Sequence, residues 1–381
     1  MLTMPSLWFR LHASLAFAAI SPVAGLAVQR LEEGGYFKHG NICTDGKLLP
    51  ELYLLGAPRA GTTTLSYDLM KAGVHVATDK SEDEMQKSLA TAESFAQSGK
   101  EWHFFDKWVL WGHGENKDGE RDAWLKQLPA CPADQGGPRT APRKVLADFT
   151  PAYFRMVPLP MGARPAPDAL GRENVEARGF KAGSDHLLEV PETIRKFYGP
   201  DRSSKITFVT LLRQPLERMQ SNWYIDKHLP APASFEDAVK QTLSELKNNP
   251  PQYNEWIWSS MYSYGFDHWL KLYDAKQFVV ILSKNYRQDR RHVCRLLQSR
   301  MEVDLNCLHL EDSHLNPQQH PSIKDDLSEA TRQAIAEVLT AEKKRLASIL
   351  AHAHLDGATL HNYEGGRGDA TGVEAWLEAG W

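Results

Sequence analysis

Three short stretches of this chain combine residue types able to do chemistry. The first reads Gly56-Ala57-Pro58-Arg59-Ala60-Gly61-Thr62-Thr63-Thr64-Leu65. Its two glycines let the backbone come close to a ligand. A helix beginning at Thr62 would aim unpaired N–H groups and the positive end of its dipole at an anion. The glycine spacing is that of the nucleoside-triphosphate loop G-x-x-x-x-G-K-[ST], but Thr62 stands where that loop has its lysine. Arg59 offers a cation from inside the loop instead. The second stretch, Lys100-Glu101-Trp102-His103-Phe104-Phe105-Asp106, sets an amine, a carboxylate and an imidazole beside apolar bulk. That combination makes a base whose proton affinity its neighbours can tune. The third, Leu211-Leu212-Arg213-Gln214-Pro215-Leu216-Glu217-Arg218-Met219-Gln220-Ser221, offers a guanidinium fork and a hydroxyl, suitable ligands for a dianionic phosphate.

Strands and helices must hold these groups. Glu51–Gly56 (ELYLLG) is a short apolar run ending at glycine, which predicts a buried strand leading into a helix over Thr62–Lys71. Val145–Asp148 reads as another short strand, and Lys205–Leu212 (KITFVTLL) is the clearest β-branched run, followed after Pro215 by a helix to about Lys227. Ser234–Asp237 has the S-x-x-D start of a capped helix reaching about Lys247. Tyr262, Phe266, Trp269, Leu270 and Tyr273 recur at helical spacing, and Phe278–Leu282 (FVVIL) predicts a central strand. A last amphipathic helix is carried by Leu327, Ile335, Val338, Leu339, Leu346, Ile349 and Leu350. Residues 112–144 and 157–186 read as loops, the former with one short helix around Trp124–Leu128. Strands alternating with helices predict an α/β fold of three layers, a mostly parallel central sheet flanked by helices.

Composition narrows the function classes. The chain has 381 residues with 44 Lys+Arg against 48 Asp+Glu, a formal charge of −4. That balance lacks the basic excess of general nucleic-acid binders, so no nucleic-acid partner is expected. Its 4 cysteines do not form paired CxxC zinc spacing, and the histidines from His309 to His320, with His352 and His354, lack H-E-x-x-H order, so no metal is expected. Trp256, Trp258, Tyr262 and Tyr264 are read as core in preference to a sugar-stacking platform. The uncharged run Leu11–Gln29 between Arg10 and Arg30 reads as a signal peptide or signal-anchor. The expected division is residues 1–30 signal or anchor, 31–50 lead-in, 51–355 the main domain and 356–381 a C-terminal tail.

PRAGTTTL resembles the 5′-phosphosulfate loop of the sulfotransferases that use PAPS (3′-phosphoadenosine 5′-phosphosulfate), with Arg59 at the usual lysine of P-K-x-G-T-T. The segment from Leu212 to Ser221 is similar to the family's 3′-phosphate pattern L-R-[DN]-P-x-x-R-x-x-S, with Gln214 at the Asp or Asn position. KEWHFF is similar to the K-E-x-x-F-F segment of heparan sulfate and related glycosaminoglycan sulfotransferases, and Asp148 to Phe154 resembles their D-x-[ST]-P-x-Y segment, which lines the acceptor cleft. The resemblance spans roughly Leu52 to Leu350 and implies a P-loop-like fold and a carbohydrate acceptor. It implies that Arg59, Ala60, Gly61, Thr62, Thr63, Thr64, Arg213 and Ser221 bind PAPS, that Glu101 is the general base, and that Lys100, His103 and Arg59 stabilise charge. It makes Asp148 and Tyr153 substrate contacts, implies a Cys294–Cys307 disulfide and leaves Cys43 and Cys131 open. It further implies the Golgi lumen or membrane, with Leu11–Gln29 as anchor or cleaved signal. Rival readings are a P-loop kinase or NTPase, against which Thr62 speaks; a tyrosylprotein or small-molecule sulfotransferase; and a non-catalytic nucleotide- or glycan-binding relative.

Overall fold

In a computed structural model, the described residues are 40–77, 82–90, 95, 101, 103–105, 118–132, 143–155, 190–226, 232–246, 255–310 and 320–381. All of them fall in one compact unit, Tyr36–Trp381. A hairpin of β1 (Cys43–Thr44) and β2 (Lys47–Leu48) precedes a sheet built from β3 (Leu52–Gly56), β4 (His75–Val76), β5 (Leu146–Asp148), β6 (Thr207–Leu212) and β7 (Phe278–Leu282). The spatial order is β4-β5-β3-β6-β7 and every pairing is parallel. Every residue of β3, β6 and β7 is buried, as expected of parallel strands covered on both faces.

The helices used below are α1 (Thr62–Lys71), α2 (Val190–Ser203), α3 (Pro215–Asp226), α4 (Tyr262–Leu272), α5 (Arg290–Met301), α6 (Glu329–His352) and α7 (Ala370–Gly380). The expected cap is present: Ser234 accepts the Asp237 N–H at 3.1 Å and starts the helix Phe235–Glu245. Trp258 and Tyr262 are buried, in keeping with the core reading, and the Trp256 side chain lies outside the described residues. The stretch 356–381 is built into the core: Leu360 bridges to Val280 of β7, α7 packs on α6, and Val373 and Leu377 are fully buried. Cys294–Cys307 and Cys43–Cys131 both form disulfides, the second tying the β1–β2 hairpin to the end of the segment 118–132. No helix among the described residues is long and apolar enough to cross a membrane, and Leu11–Gln29 lies outside them.

Burying His361 makes stability depend on pH. Its side chain is 1% exposed with both ring nitrogens unpartnered, and its ring lies 5.0 Å from that of His292. Burial, with His292 adding, pushes its pKa down from 6.5 to about 4. The unfolded imidazole takes up a proton near 6.5 and the folded one only near 4, so this stability is intact above 6.5 and lost as pH falls through that window, at most about 3 kcal/mol. Buried Glu342 acts in the opposite sense, its pKa pushed up to about 7, chiefly by burial. Denaturation midpoints of His361→Leu measured against the parent from pH 7 to 4 isolate the histidine: the variant is expected to lose less stability on acidification, and parallel curves would refute this.

Candidate active site

The parallel sheet sets the geometry. The chain leaves β3 toward β4 on one side and later returns through β6 on the other, so the crevice at the carboxyl end of β3 is a topological switch point, where open α/β sheets bind ligands. The ends of β3, β5, β6 and β7 carry the sequence-predicted loop, the segment after Asp148, Arg213 and Ser283 respectively.

The loop after β3 is held by its carbonyls. Ala57 O accepts from Ala60 N–H (3.1 Å), Pro58 O from Arg218 Nη1 (3.1 Å), Arg59 O from Arg213 Nη1 (3.3 Å), and Ala60 O from Ser283 Oγ. The Ala57 N–H is itself donated to Leu211 O at 2.8 Å. While these carbonyls are engaged, the N–H groups of Gly61, Thr62, Thr63 and Thr64 have no acceptor among the described residues. Consecutive unpaired N–H groups at a helix start make an anion cradle. Glycine is required twice. Gly61 adopts φ 97° at the N-cap of α1, and a Cβ at Gly56 would lie 2.8 Å from both Pro151 O and Phe154 Cβ. Arg59 is exposed, inside the loop as predicted.

The β6–α3 junction forms the second part. Arg213 is partly buried, ion-paired with Glu217 at 3.2 Å, and its carbonyl accepts the Tyr262 hydroxyl at 2.8 Å. Gln214, the departure from the family pattern, does the helix-capping work of the missing Asp or Asn: its Oε1 accepts the Glu217 N–H at 2.7 Å. Ser221 is buried within α3. Sequence reasoning assigned no role to Arg218. Fully buried, it donates through Nε to Ser260 Oγ (2.7 Å) and so clamps the loop after β3 against the segment preceding α4.

Glu101 and His103 lie together, Oε2 to Nε2 at 3.5 Å, with each side chain 35% exposed. Lys100 lies outside the described residues. Asp148 and Tyr153, expected to touch substrate, are 1% and 0% exposed. Oδ1 of Asp148 accepts from Thr150 Oγ1 (2.6 Å) and Oδ2 from the Tyr153 hydroxyl (3.0 Å). Both oxygens of this carboxylate are thus engaged within its own segment. The same segment abuts the loop after β3 through Pro151 and Phe154 at Gly56, so loop and Glu101 segment share one support. Among the described residues no group of three or more His, Cys, Asp or Glu is arranged to hold a metal ion.

No family model and no curated protein matches the chain. Among solved structures it is similar to the crystal structure of a sulfotransferase from Alicyclobacillus acidocaldarius, at 14% identity and a TM-score of 0.44, covering 79% of this chain and 96% of that one. A likeness at that level decides nothing about chemistry, which rests on the residues above.

Proposed function

We propose that the protein is a sulfotransferase that moves the sulfuryl group of PAPS to a hydroxyl (or amine) of a carbohydrate acceptor, a glycosaminoglycan-like glycan. The observation that carries this reading is the row of amides from Gly61 to Thr64 with no acceptor among the described residues, beside Arg59 and Arg213, in a loop that lacks the triphosphatase lysine. Such a cradle suits a single 5′-phosphosulfate, and a donor without a β/γ-phosphate pair needs no bridging Mg²⁺.

In this reading Glu101 takes the acceptor proton as its oxygen attacks sulfur. The new S–O bond forms as the bond from sulfur to the bridging phosphate oxygen breaks, and the electron pair leaves on the phosphate of PAP. The loop amides, Arg59 and Lys100 stabilise the charge that gathers on the leaving oxygens. Arg213 and Ser221 hold the 3′-phosphate. Leu11–Gln29 then serves as the anchor or signal of a Golgi enzyme, and the KEWHFF segment favours a glycan over a peptide acceptor.

Arg213→Ala tests the donor assignment. PAP affinity is expected to fall roughly tenfold to a hundredfold, the worth of one charge-assisted contact. Affinity for adenosine 5′-phosphosulfate, which has no 3′-phosphate, should barely change. Equal losses for both nucleotides in calorimetric titration would refute the 3′-phosphate role.

A further inference from the structure

The enclosed carboxylate of Asp148 has no contact with solvent and still organises the exposed groups nearby. A hydroxyl carries one proton. Because Thr150 and Tyr153 both spend theirs on Asp148, their lone pairs are left for other donors. Two backbone amides take them: His103 N–H donates to Thr150 Oγ1 at 3.3 Å, and Phe105 N–H donates to the Tyr153 hydroxyl at 3.1 Å. One buried carboxyl group thus fixes two hydroxyls, and these fix the chain on either side of Phe104. The rings lock the same point, Phe104 stacking on Trp124 at 4.2 Å and Phe105 fully buried. His103 itself has φ 59°, the left-handed region that non-glycine residues adopt infrequently and that surrounding contacts must hold. Beside that turn its imidazole meets the Glu101 carboxylate.

We infer that Asp148, acting through Thr150, is a positioning residue for the proton-accepting pair: it keeps His103 in the left-handed turn that brings its ring to Glu101. The inference rests on the proposed role of Glu101. It gives the D-x-T-x-x-Y spacing a physical meaning, since residues 148, 150 and 153 form a buried carboxylate with two relays, and none of them meets the acceptor.

The test compares Thr150→Val, which keeps the shape and loses the hydroxyl, with Thr150→Ser, which keeps the hydroxyl. Two readouts are taken on the full chain. In amide hydrogen exchange, Thr150→Val is expected to lose protection at His103 by about tenfold or more, while Phe105, held by Tyr153, keeps its own. In sulfuryl transfer from PAPS, kcat is expected to fall about tenfold to a hundredfold at unchanged KM for PAPS and unchanged PAP affinity, the scale of a misplaced reacting group. Thr150→Ser should restore both. A kcat equal to that of the parent, or kcat and PAP affinity falling together, overturns the positioning role alone. Unchanged exchange at His103 overturns the anchoring. A parent that binds PAP and transfers sulfate to no acceptor overturns the proposed function, and this inference with it.

Discussion

Glu101→Gln is expected to lower sulfate transfer by about 10²- to 10⁴-fold while leaving PAP affinity within about twofold. The amide keeps the size of the carboxylate and cannot take a proton. Glu101 is open enough to meet an acceptor, and the imidazole of His103 lies 3.5 Å from its carboxylate. The proposed donor cradle lies elsewhere, at the amides of Gly61 to Thr64 and the β6–α3 junction, so binding and chemistry should separate cleanly. Calorimetry with PAP beside a transfer assay makes the comparison. Full activity in the variant would remove Glu101 as base, and parallel loss of PAP binding would show that the substitution disturbed the fold.

The largest expected stability loss lies behind the loop. Asp68, on the buried side of α1, is 3% exposed and is paired with Arg290 of α5, which donates from Nε at 2.6 Å and from Nη2 to the other oxygen, while the Tyr286 hydroxyl donates as well. Burial still raises the Asp68 pKa above the ordinary value, against the opposing pull of Arg290 and Tyr286. Arg290→Met leaves that carboxylate without its cation, which costs about 3–5 kcal/mol in buried pairs. The deficit should shrink on acidification, since protonating Asp68 removes the unpaired charge. Adding Asp68→Asn should recover much of it, the non-additivity expected of partners in contact. Because α1 begins at the proposed donor loop, PAP should restore part of the lost midpoint by binding only the folded chain. A single-variant loss below about 1 kcal/mol would mean that the pair is not buried as described.

The strands that build the site were legible because central parallel strands are continuous apolar runs: β3, β6 and β7 fall within the predicted ELYLLG, KITFVTLL and FVVIL stretches. β4 is two residues long and leaves no pattern. α5 is hard to read because RRHVCRLLQSRM is strongly polar, and only Val293, Cys294, Leu297 and Met301 mark its inner face. α7 escaped because the segment before it looks like a polar tail, though Asp369 caps it by accepting the Gly372 N–H at 2.9 Å. In the site, the glycine spacing and Arg59 were readable from local sequence. Arg218 and Ser283, which turn the loop carbonyls inward, stand 160 and 223 residues from their partners, beyond the reach of any spacing rule. Asp148 was drawn as a substrate contact because its segment resembles D-x-[ST]-P-x-Y; the two hydroxyls that bond it belong to that same segment, and a motif does not show which way its carboxylate faces.

Group transfer from PAPS is the reaction that defines a sulfotransferase. Incubating the full chain with radiolabelled PAPS, without added divalent metal, and a panel of glycosaminoglycans, simple sugars and peptides measures it directly. The label is predicted to move to a glycan with release of one equivalent of PAP, and to remain on the donor with Glu101→Gln. PAPS left intact beside every acceptor would contradict the claim.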